Sequence, residues 1–491
     1  MLWYGFFFYF FFLFFIFLFF FLFNKIFYFF NLNKIFILKF LFKFFLFILL
    51  FFSFSILLNL YYLLHIYSEH LIIFNFNTII LDNNFFNLVF NLNNLNLTLL
   101  NVYYFPYIYI FLLITVLSIF FCLSYNFNEL TSFSFYCIII LIFGYMLFFT
   151  NSLILFFLAY EMLLVPSFFI LYKFAKTRRC IEAAYLMFFW TQFGALFLIF
   201  SFLYLFFVIE TSSFQSVLFT EFSVFEINFL FLCWIAGFGV KLPIWPFYGW
   251  LPKAHVEAST NFSIFLSGVL VKFAFFGLFK CLLLIQNEPT FFYIYPFLTI
   301  GIVDAAFKLF YQIDLKKLVA YSTVVEMHWL VICIISGQSI LLLTSFCMLI
   351  SHAFLSSNAF LLVDAINRRF KTRLITEISG INFLCPKLFL ISLLNCLVFL
   401  GFPGSIFFIA EFLFFSFFFD LFPILTLFLI PILYLITPTF FFRSWMNVLF
   451  GLSLNVFKKI PLDLNSKEFN LYFGIILIMF WLGFTWQIFI F

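Results

Sequence analysis

The chain has 491 residues, of which 67% are hydrophobic and only 9% are charged, with a mean hydropathy of +1.24 and a formal net charge of +5. A water-soluble domain needs a polar surface that so few charged residues cannot supply. The composition therefore excludes a soluble protein and predicts that lipid is the solvent for most of the chain.

Apolar runs of membrane-spanning length recur along the chain, separated by short polar segments. They predict an all-α, polytopic membrane protein of fourteen helices, near residues 5–23, 35–58, 103–125, 133–150, 151–174, 181–209, 227–247, 261–285, 291–311, 318–336, 338–366, 389–419, 423–442 and 470–490. The first run lacks a basic flank and a small-residue cleavage site, so it is interpreted as a retained span. The Asn-rich segment 71–102 is the longest predicted extramembrane stretch.

Basic residues are concentrated after the odd-numbered spans. They are Lys25, Lys34, Lys173, Lys176, Arg178, Arg179, Lys316, Lys317, Arg368, Arg369, Lys371, Arg373, Arg443, Lys458, Lys459 and Lys467. The opposite segments carry the acids Glu69, Asp82, Glu210, Glu221, Glu226, Glu288 and Asp420. Because basic segments remain on the inner side of a membrane, this asymmetry predicts an even number of spans with both termini outside.

A small set of ionisable side chains remains inside the predicted spans. It comprises Lys39, Lys43, Glu161, Glu182, Lys241, Lys272, Asp304, Lys308, Glu326, His328, His352, Asp364 and Glu411. Asp304 and Lys308 are four residues apart with the acid first, which predicts an internal ion pair. Snorkelling or pairing near a loop accounts for Lys39, Lys43, Glu182 and Asp364.

Lys241 lies in the otherwise apolar stretch Gly237–Pro246, next to two prolines. A cation at membrane depth is costly, and broken backbone occurs there only beside protein or a water-filled cavity. A second glycine–proline break, Gly401–Gly404, precedes Glu411. These features predict two helix breaks, each beside an intramembrane charge.

Mid-span charges are functional by default, and buried Glu and Lys groups in contact exchange protons in response to neighbouring charge. Glu161, Lys241, Lys272 and Glu411 therefore predict a proton relay, with structural ion pairs as the alternative. Pro166 follows Glu161 and cannot donate to the carbonyl of Met162, so a backbone acceptor is free beside that carboxylate.

Several sequence motifs of the chain resemble those of one protein family. Lys241–Ala258 (KLPIWPFYGWLPKAHVEA) resembles the K-x-P-x-x-P-x-H-x-W-L-P-x-A-H-x-E-A-P block of the antiporter-like subunits of respiratory complex I, and Gln312–Ser322 resembles its Q-x-D-L-K-x-x-I-A-Y-S block. Ser351–Arg373 is similar to the next block. Tyr160–Pro166 and Gly401–Glu411 resemble the subunit 4 branch. The match runs in order from about 151 to 415.

The resemblance implies two inverted five-helix repeats, at 133–285 and 291–442, each with a discontinuous helix. A divergent N-terminal region, 1–132, would precede them, and a basic loop with the last helix, 443–491, would follow.

The resemblance also implies site roles. Glu161 and Lys241 would form a coupling pair, and Lys272 would pass protons through His352 to Glu411 at the outward exit. The 253–257 segment would be a structural loop, with His255 on the surface side of the break.

The sequence departs from the family pattern near the middle of this path. Glu326 stands where the family has a histidine, and His328 replaces a small residue. Tyr248 stands where the block has its first histidine, and Ser259 where it has a proline. Residues 326 and 328 point about 200° apart on a helix, so both cannot face one path. Glu326 either replaces the histidine as a protonatable link or pairs locally.

The resemblance implies a proton-translocating membrane subunit of NADH:ubiquinone oxidoreductase. Its partners would be other membrane-arm subunits, including neighbouring antiporter-like ones, and lipids, with no nucleic acid. No cofactor or metal is expected in this chain, whose nine cysteines include no C-x-x-C pair. FMN, iron–sulfur clusters and ubiquinone would belong to partner subunits. The alternatives are a subunit of a multisubunit cation/proton antiporter and a structural subunit that has lost pumping.

The expected location is the mitochondrial inner membrane, with basic loops facing the matrix. The Phe-rich bias, the missing presequence and the resemblance favour it; a bacterial plasma membrane is the alternative.

Overall fold

The computed structural model describes residues 107–108, 110–119, 127–175, 177–218, 220–285, 292–451 and 463–484. The predicted spans 5–23 and 35–58, the Asn-rich segment 71–102, and Lys39 and Lys43 lie outside these residues. In the described part of the chain the regular elements are helices, with isolated β-bridges between Ser152 and Ser213 and between Asp314 and Leu374.

The helices are named α1 to α18 in chain order. They are Ile110–Ile119, Phe127–Phe149, Leu153–Met162, Leu164–Lys173, Arg178–Ile209, Phe214–Leu218, Val224–Lys241, Trp250–Glu257, Thr260–Leu282, Tyr295–Phe310, Leu315–Ile335, Ser339–Phe370, Ile381–Leu384, Pro386–Phe399, Ile406–Leu421, Pro423–Ile430, Thr437–Phe450 and Ser466–Phe484. Helix α9 contains a π-helical turn at Leu266–Leu270, and a second π-helical turn, Pro431–Ile436, follows α16.

Eight of the described helical segments are long and apolar enough to cross a membrane. They are Thr131–Phe149, Leu153–Lys173, Arg178–Ile209, Val224–Lys241, Thr260–Leu282, Leu315–Ile335, Ile340–Phe370 and Ser466–Phe484. Each overlaps one of the spans predicted from hydropathy, which confirms a multi-span helical membrane protein. The second of these segments is interrupted at Leu163, three residues before Pro166, as a proline without an N–H requires.

Both predicted helix breaks are present. Helix α7 ends at Lys241, and regular structure resumes with a short 3₁₀ turn and α8. Between α14 and α15 the chain turns through Gly401 and Gly404, whose φ angles of +73° and +90° favour a residue without a side chain. This turn divides the predicted span 389–419 into two helices, as the predicted break at Gly401–Gly404 requires.

The two central helices are shielded from lipid by the rest of the protein. In the most apolar stretch of each helix, all residues of α9 and 94% of those of α11 are buried inside the protein. The corresponding share for α5 is 33%. Polar side chains on α9 and α11 consequently face other helices. Helix α5 crosses α7 so closely that a Cβ added to Gly194 would lie 2.8 Å from the carbonyl oxygen of Gly237.

Lys316 was predicted to lie in a basic loop, and this placement is wrong. The side chain of Asp314 accepts from the backbone N–H of Lys316 at 2.9 Å, so α11 begins at Leu315 and includes both lysines. The ammonium of Lys316 is buried and donates to the carbonyl oxygen of Ala258 at 2.5 Å. A cation there stabilises the C-terminal end of α8, whose last carbonyls lack helical partners.

Candidate functional site

Lys241 is the last residue of α7 and is only 2% exposed. Its Nζ donates to the backbone carbonyl oxygen of Tyr160 at 2.9 Å and lies 3.4 Å from the centroid of the Tyr160 ring. The negative face of the ring attracts the ammonium in a place without water. The Tyr160 hydroxyl in turn donates to the carbonyl oxygen of Gly237 at 3.3 Å. Helix α3 thus surrounds the Lys241 ammonium with a carbonyl and an aromatic face.

The resemblance implies that Glu161 and Lys241 form a coupling pair, and among the described residues no salt bridge joins their side chains. Oε2 of Glu161 accepts from Nε2 of Gln192 on α5 at 3.0 Å, and its Oε1 has no hydrogen-bond partner among the described residues. Successive residues of a helix project about 100° apart, so Tyr160 faces Lys241 while Glu161 faces α5. The Glu161 charge still acts on Lys241 through space.

Lys272 and His352 are in direct contact at the centre of the protein. Nζ of Lys272 lies 2.5 Å from Nδ1 of His352 and also donates to the carbonyl oxygen of Ser267 in the π-helical turn of α9. When Lys272 carries its proton, the ammonium has no acceptor site, so Nδ1 accepts and the ring proton resides on Nε2. The contact joins α9 to α12 by a bond along which a proton can transfer.

Glu326 lies on the far side of the same imidazole. Its Oε2 is 3.8 Å from Nε2 of His352, and neither atom has a hydrogen-bond partner among the described residues. Glu326 is 5% exposed, so no bulk water solvates this carboxylate. The structure therefore places Glu326, and not His328, next to the predicted path.

Glu411 completes the series beside the second break. Glu326 and Glu411 both line a cavity of about 20 Å³, which has room for one water molecule. Oε2 of Glu411 lies against Gly401, where an added Cβ would be 2.5 Å from it. Tyr434, on the π-helical turn after α16, lies beside the Glu411 carboxylate. Tyr434 could not be predicted from the sequence, because its position beside Glu411 depends on how separate helices pack.

The predicted site residues fall into two clusters. Lys272, His352, Glu326 and Glu411 form a central series, whereas Lys241 and Glu161 lie together at the first break. Among the described residues, no hydrogen bond or ion pair joins Lys241 to Lys272.

In the described part of the chain, the intramembrane acids Asp304, Glu182 and Asp364 each pair with a base one helical turn away. Nζ of Lys308 lies 2.7 Å from Asp304, Arg178 lies 3.4 Å from Glu182, and Arg368 lies 2.9 Å from Asp364. Tyr248 joins the first of these pairs, since Lys308 donates to its hydroxyl at 2.6 Å and that hydroxyl donates to Asp304.

The prediction that 253–257 is a loop, with His255 on the surface side of the break, is wrong. Residues Trp250–Glu257 form α8, and His255 is completely buried with its ring stacked on Phe360 at 4.8 Å between centroids. Helix α8 packs between α5 and α11, and the His255 side chain is enclosed there.

Lys280 was missed as a buried charge, although it lies within the predicted span 261–285. It is 5% exposed, and its Nζ donates to the carbonyl oxygens of Leu147, Phe148 and Thr150 at 3.3, 3.1 and 2.5 Å. These carbonyls belong to the C-terminal end of α2, where helical partners are missing. Lys280 is thus a helix cap supplied by another helix.

Replacement of Lys280 by methionine is expected to destabilise the protein without changing proton movement. Three carbonyls would lose a charged donor, at a cost of about 2 kcal/mol. Thermal denaturation of the purified protein in detergent would measure a lower Tm. Exposed Lys253, replaced in the same way, is the control; an equal loss in both variants would contradict the capping role.

A family model described as "NADH:quinone oxidoreductase/Mrp antiporter, TM" matches residues 150–437. NADH-ubiquinone oxidoreductase chain 4 of Paramecium tetraurelia is 34% identical over 324 residues, covering 66% of this chain and 68% of that protein. The protein of the same name from Chondrus crispus is 31% identical over 381 residues, covering 76% and 77%.

Solved structures share the fold at lower identity. A chain of respiratory complex I from Thermus thermophilus aligns with a TM-score of 0.62 and 19% identity, covering 72% of this chain and 80% of that one. A chain of the Mrp complex from Dietzia sp. DQ12-45-1b aligns with a TM-score of 0.69 and 13% identity, covering 78% and 81%.

Proposed function

Because the chain belongs to the NADH:quinone oxidoreductase/Mrp antiporter transmembrane family, we propose that it is an antiporter-like subunit that translocates protons in the membrane arm of an NADH:ubiquinone oxidoreductase. The observation that carries this proposal is the buried series from Lys272 through His352 and Glu326 to Glu411. Unpaired buried carboxyl and imidazole groups are expensive, and a purely structural subunit has no need of them.

Proton movement along the series follows from the tautomer of His352. Lys272 gives a proton from Nζ to Nδ1, and the imidazolium then gives its Nε2 proton to Oε2 of Glu326. This leaves neutral Lys272, protonated Glu326 and His352 with its proton on Nδ1. The ring must return to the other tautomer before a second transfer. Protons therefore pass through His352 one at a time.

The step from Glu326 to Glu411 crosses the shared cavity. A water molecule in this cavity, which is large enough to hold one, would bridge the two carboxyl groups. Glu411 then releases the proton toward the outer side, beside Gly401 and Tyr434.

Lys241 acts on this series by charge and not by contact. Loss or gain of the Lys241 proton changes the field in a water-poor interior, where charges interact over longer distances than in water. Glu161, next in sequence to the Tyr160 that contacts Lys241, is the acidic partner in this coupling. The two breaks belong to the discontinuous helices of the two inverted repeats, within a total of fourteen spans.

The same proposal places NADH oxidation and quinone reduction elsewhere. FMN, iron–sulfur clusters and ubiquinone reside in partner subunits, and this chain contributes no redox group. It lies in the mitochondrial inner membrane between neighbouring antiporter-like subunits, with its basic loops in the matrix.

Gentle isolation of the native complex tests this function. Flavin and iron–sulfur subunits are expected to co-purify with the chain, as identified by mass spectrometry. The complex in vesicles is expected to acidify the lumen on addition of NADH and ubiquinone. Isolation with cation-antiporter subunits alone, and sodium-dependent transport without a redox partner, would instead identify a multisubunit cation/proton antiporter.

A further inference from the structure

His328 is buried, lies two residues from Glu326, and takes no part in the proton series. It is 0% exposed, and its ring reaches the first helix break on the side away from Glu326. Nε2 of His328 accepts from the backbone N–H of Trp245 at 2.7 Å, and Nδ1 lies 2.8 Å from the carbonyl oxygen of Val324. Both ring nitrogens are therefore engaged with backbone.

These two contacts determine the protonation state of His328. A backbone N–H can only donate, so Nε2 carries no proton and accepts from Trp245. The ring proton is then on Nδ1, which donates to Val324. The structure thus contains the neutral imidazole, because a doubly protonated ring would direct an N–H at the N–H of Trp245.

The backbone of the break depends on this one side chain. Leu242 donates to Phe238 at 2.9 Å, Ile244 to Gly239 at 2.8 Å, and Phe247 to Ile244 at 2.7 Å, while prolines 243 and 246 have no N–H. Trp245 is the remaining donor between residues 242 and 247, and its partner is His328. An unpaired N–H inside a membrane protein is costly, so this bond stabilises the broken conformation.

The space for the ring is provided by α10. A Cβ added to Gly301 would overlap the imidazole of His328 and lie 2.7 Å from Cβ of Trp245. His328 therefore occupies its position only because residue 301 has no side chain.

The charged groups around His328 lie on the neighbouring elements. The Tyr248 ring is perpendicular to the imidazole, 6.1 Å away between centroids, and Asp304 on α10 acts on it electrostatically. Lys308 donates to both Tyr248 and Asp304. Asp304 is the acidic group of this cluster and is held by Lys308 and the Tyr248 hydroxyl.

We propose that neutral His328 pins the helix break at Trp245, four residues from Lys241, and that a proton on the imidazole releases it. His328 is then a positioning residue for Lys241. It couples the protonation of its own imidazole, on α11, to the conformation of the backbone at the break. This inference rests on the proposed function only for its consequence in pumping. The hydrogen bond from Trp245 to His328 holds the local backbone whatever the function of the chain.

Two replacements of His328 separate the pin from simple packing. Glutamine carries an amide oxygen close to the position of Nε2 and does not titrate, whereas leucine fills the space without an acceptor. Hydrogen–deuterium exchange of the 242–250 segment in the assembled complex is expected to be roughly fivefold to tenfold faster for His328→Leu, and close to wild type for His328→Gln. Equal exchange in the leucine variant and the wild type would overturn the pin.

Gly301→Ala tests the same bond from α10. The added methyl group displaces the imidazole, so this variant is expected to match His328→Leu in the exchange of the 242–250 segment. Gly474→Ala on α18 is the matched control, because a Cβ there meets nothing within 4 Å. Fast exchange in both glycine variants would contradict the specific contact.

The pH dependence of the exchange shows whether a proton on His328 releases the helix break or whether His328 only supports the break. The exchange rate of the wild type relative to His328→Gln is expected to rise as the pH falls, and a pH-independent ratio would overturn the release by protonation. A wild-type complex that moves no protons would refute the proposed function and leave the exchange results intact, so the two failures are distinguishable.

Discussion

Replacement of Lys241 by methionine is expected to reduce quinone-linked proton pumping by roughly a hundredfold in the assembled complex, the range that loss of a positioned proton carrier produces. Methionine has a similar length and fills the site against Tyr160, so the packing of α7 on α3 is retained. What disappears is the cation at the break, and with it the charge that the proposed mechanism places next to the central series. Proton uptake per electron in vesicles, with complex content normalised by immunodetection, is the measurement.

A matched lysine controls for the loss of a cation over an aromatic ring. Lys173 at the end of α4 lies 5.8 Å from the centroid of the Tyr136 ring but is exposed. Lys173→Met is expected to leave pumping unchanged. A normal proton-to-electron ratio in Lys241→Met would refute the role of this lysine.

Replacement of Glu326 by leucine is expected to have a comparable effect, and replacement by histidine a much smaller one. Glu326 is the only titratable link between Nε2 of His352 and the cavity that it shares with Glu411 in the described part of the chain. Leucine interrupts the series and lowers pumping by about a hundredfold, whereas histidine restores a group that accepts and releases protons near neutral pH. Turnover and proton uptake are measured together, because a blocked relay also slows coupled electron transfer.

Glu182 provides the control for removing an acidic side chain. It is exposed and pairs with Arg178 one turn away, so Glu182→Leu is expected to leave both rates unchanged. Unchanged pumping in Glu326→Leu would favour the alternative in which Glu326 only pairs locally.

Local chemistry predicted much of the architecture. The hydropathy of the chain located the eight described spans, since a helix of about 20 apolar residues is the simplest way to satisfy the backbone in lipid. Prolines and glycines located both breaks, because they act on their own backbone. The ion pair of Asp304 and Lys308 followed from its spacing of four residues on one helix.

The identity of the central residues was also visible in the chain. Lys272, His352, Glu326 and Glu411 were predicted as ionisable groups within apolar segments, and such groups are too costly in lipid to be accidental. The angular argument that residues 326 and 328 cannot face one path also agrees with the structure, in which Glu326 faces His352 and His328 faces Trp245.

Only the tertiary structure decided which partners these groups have. Lys241 meets Tyr160 and not Glu161, His255 is buried against Phe360, and Lys280 caps a helix more than a hundred residues away in sequence. Periodicity assigns a residue to a face of its own helix, but the rotation and depth of the neighbouring helix depend on packing along its whole length. Amino-acid type and position therefore determined which side chains are charged within the membrane and where the helices break, whereas helix packing decided which of those charges touch.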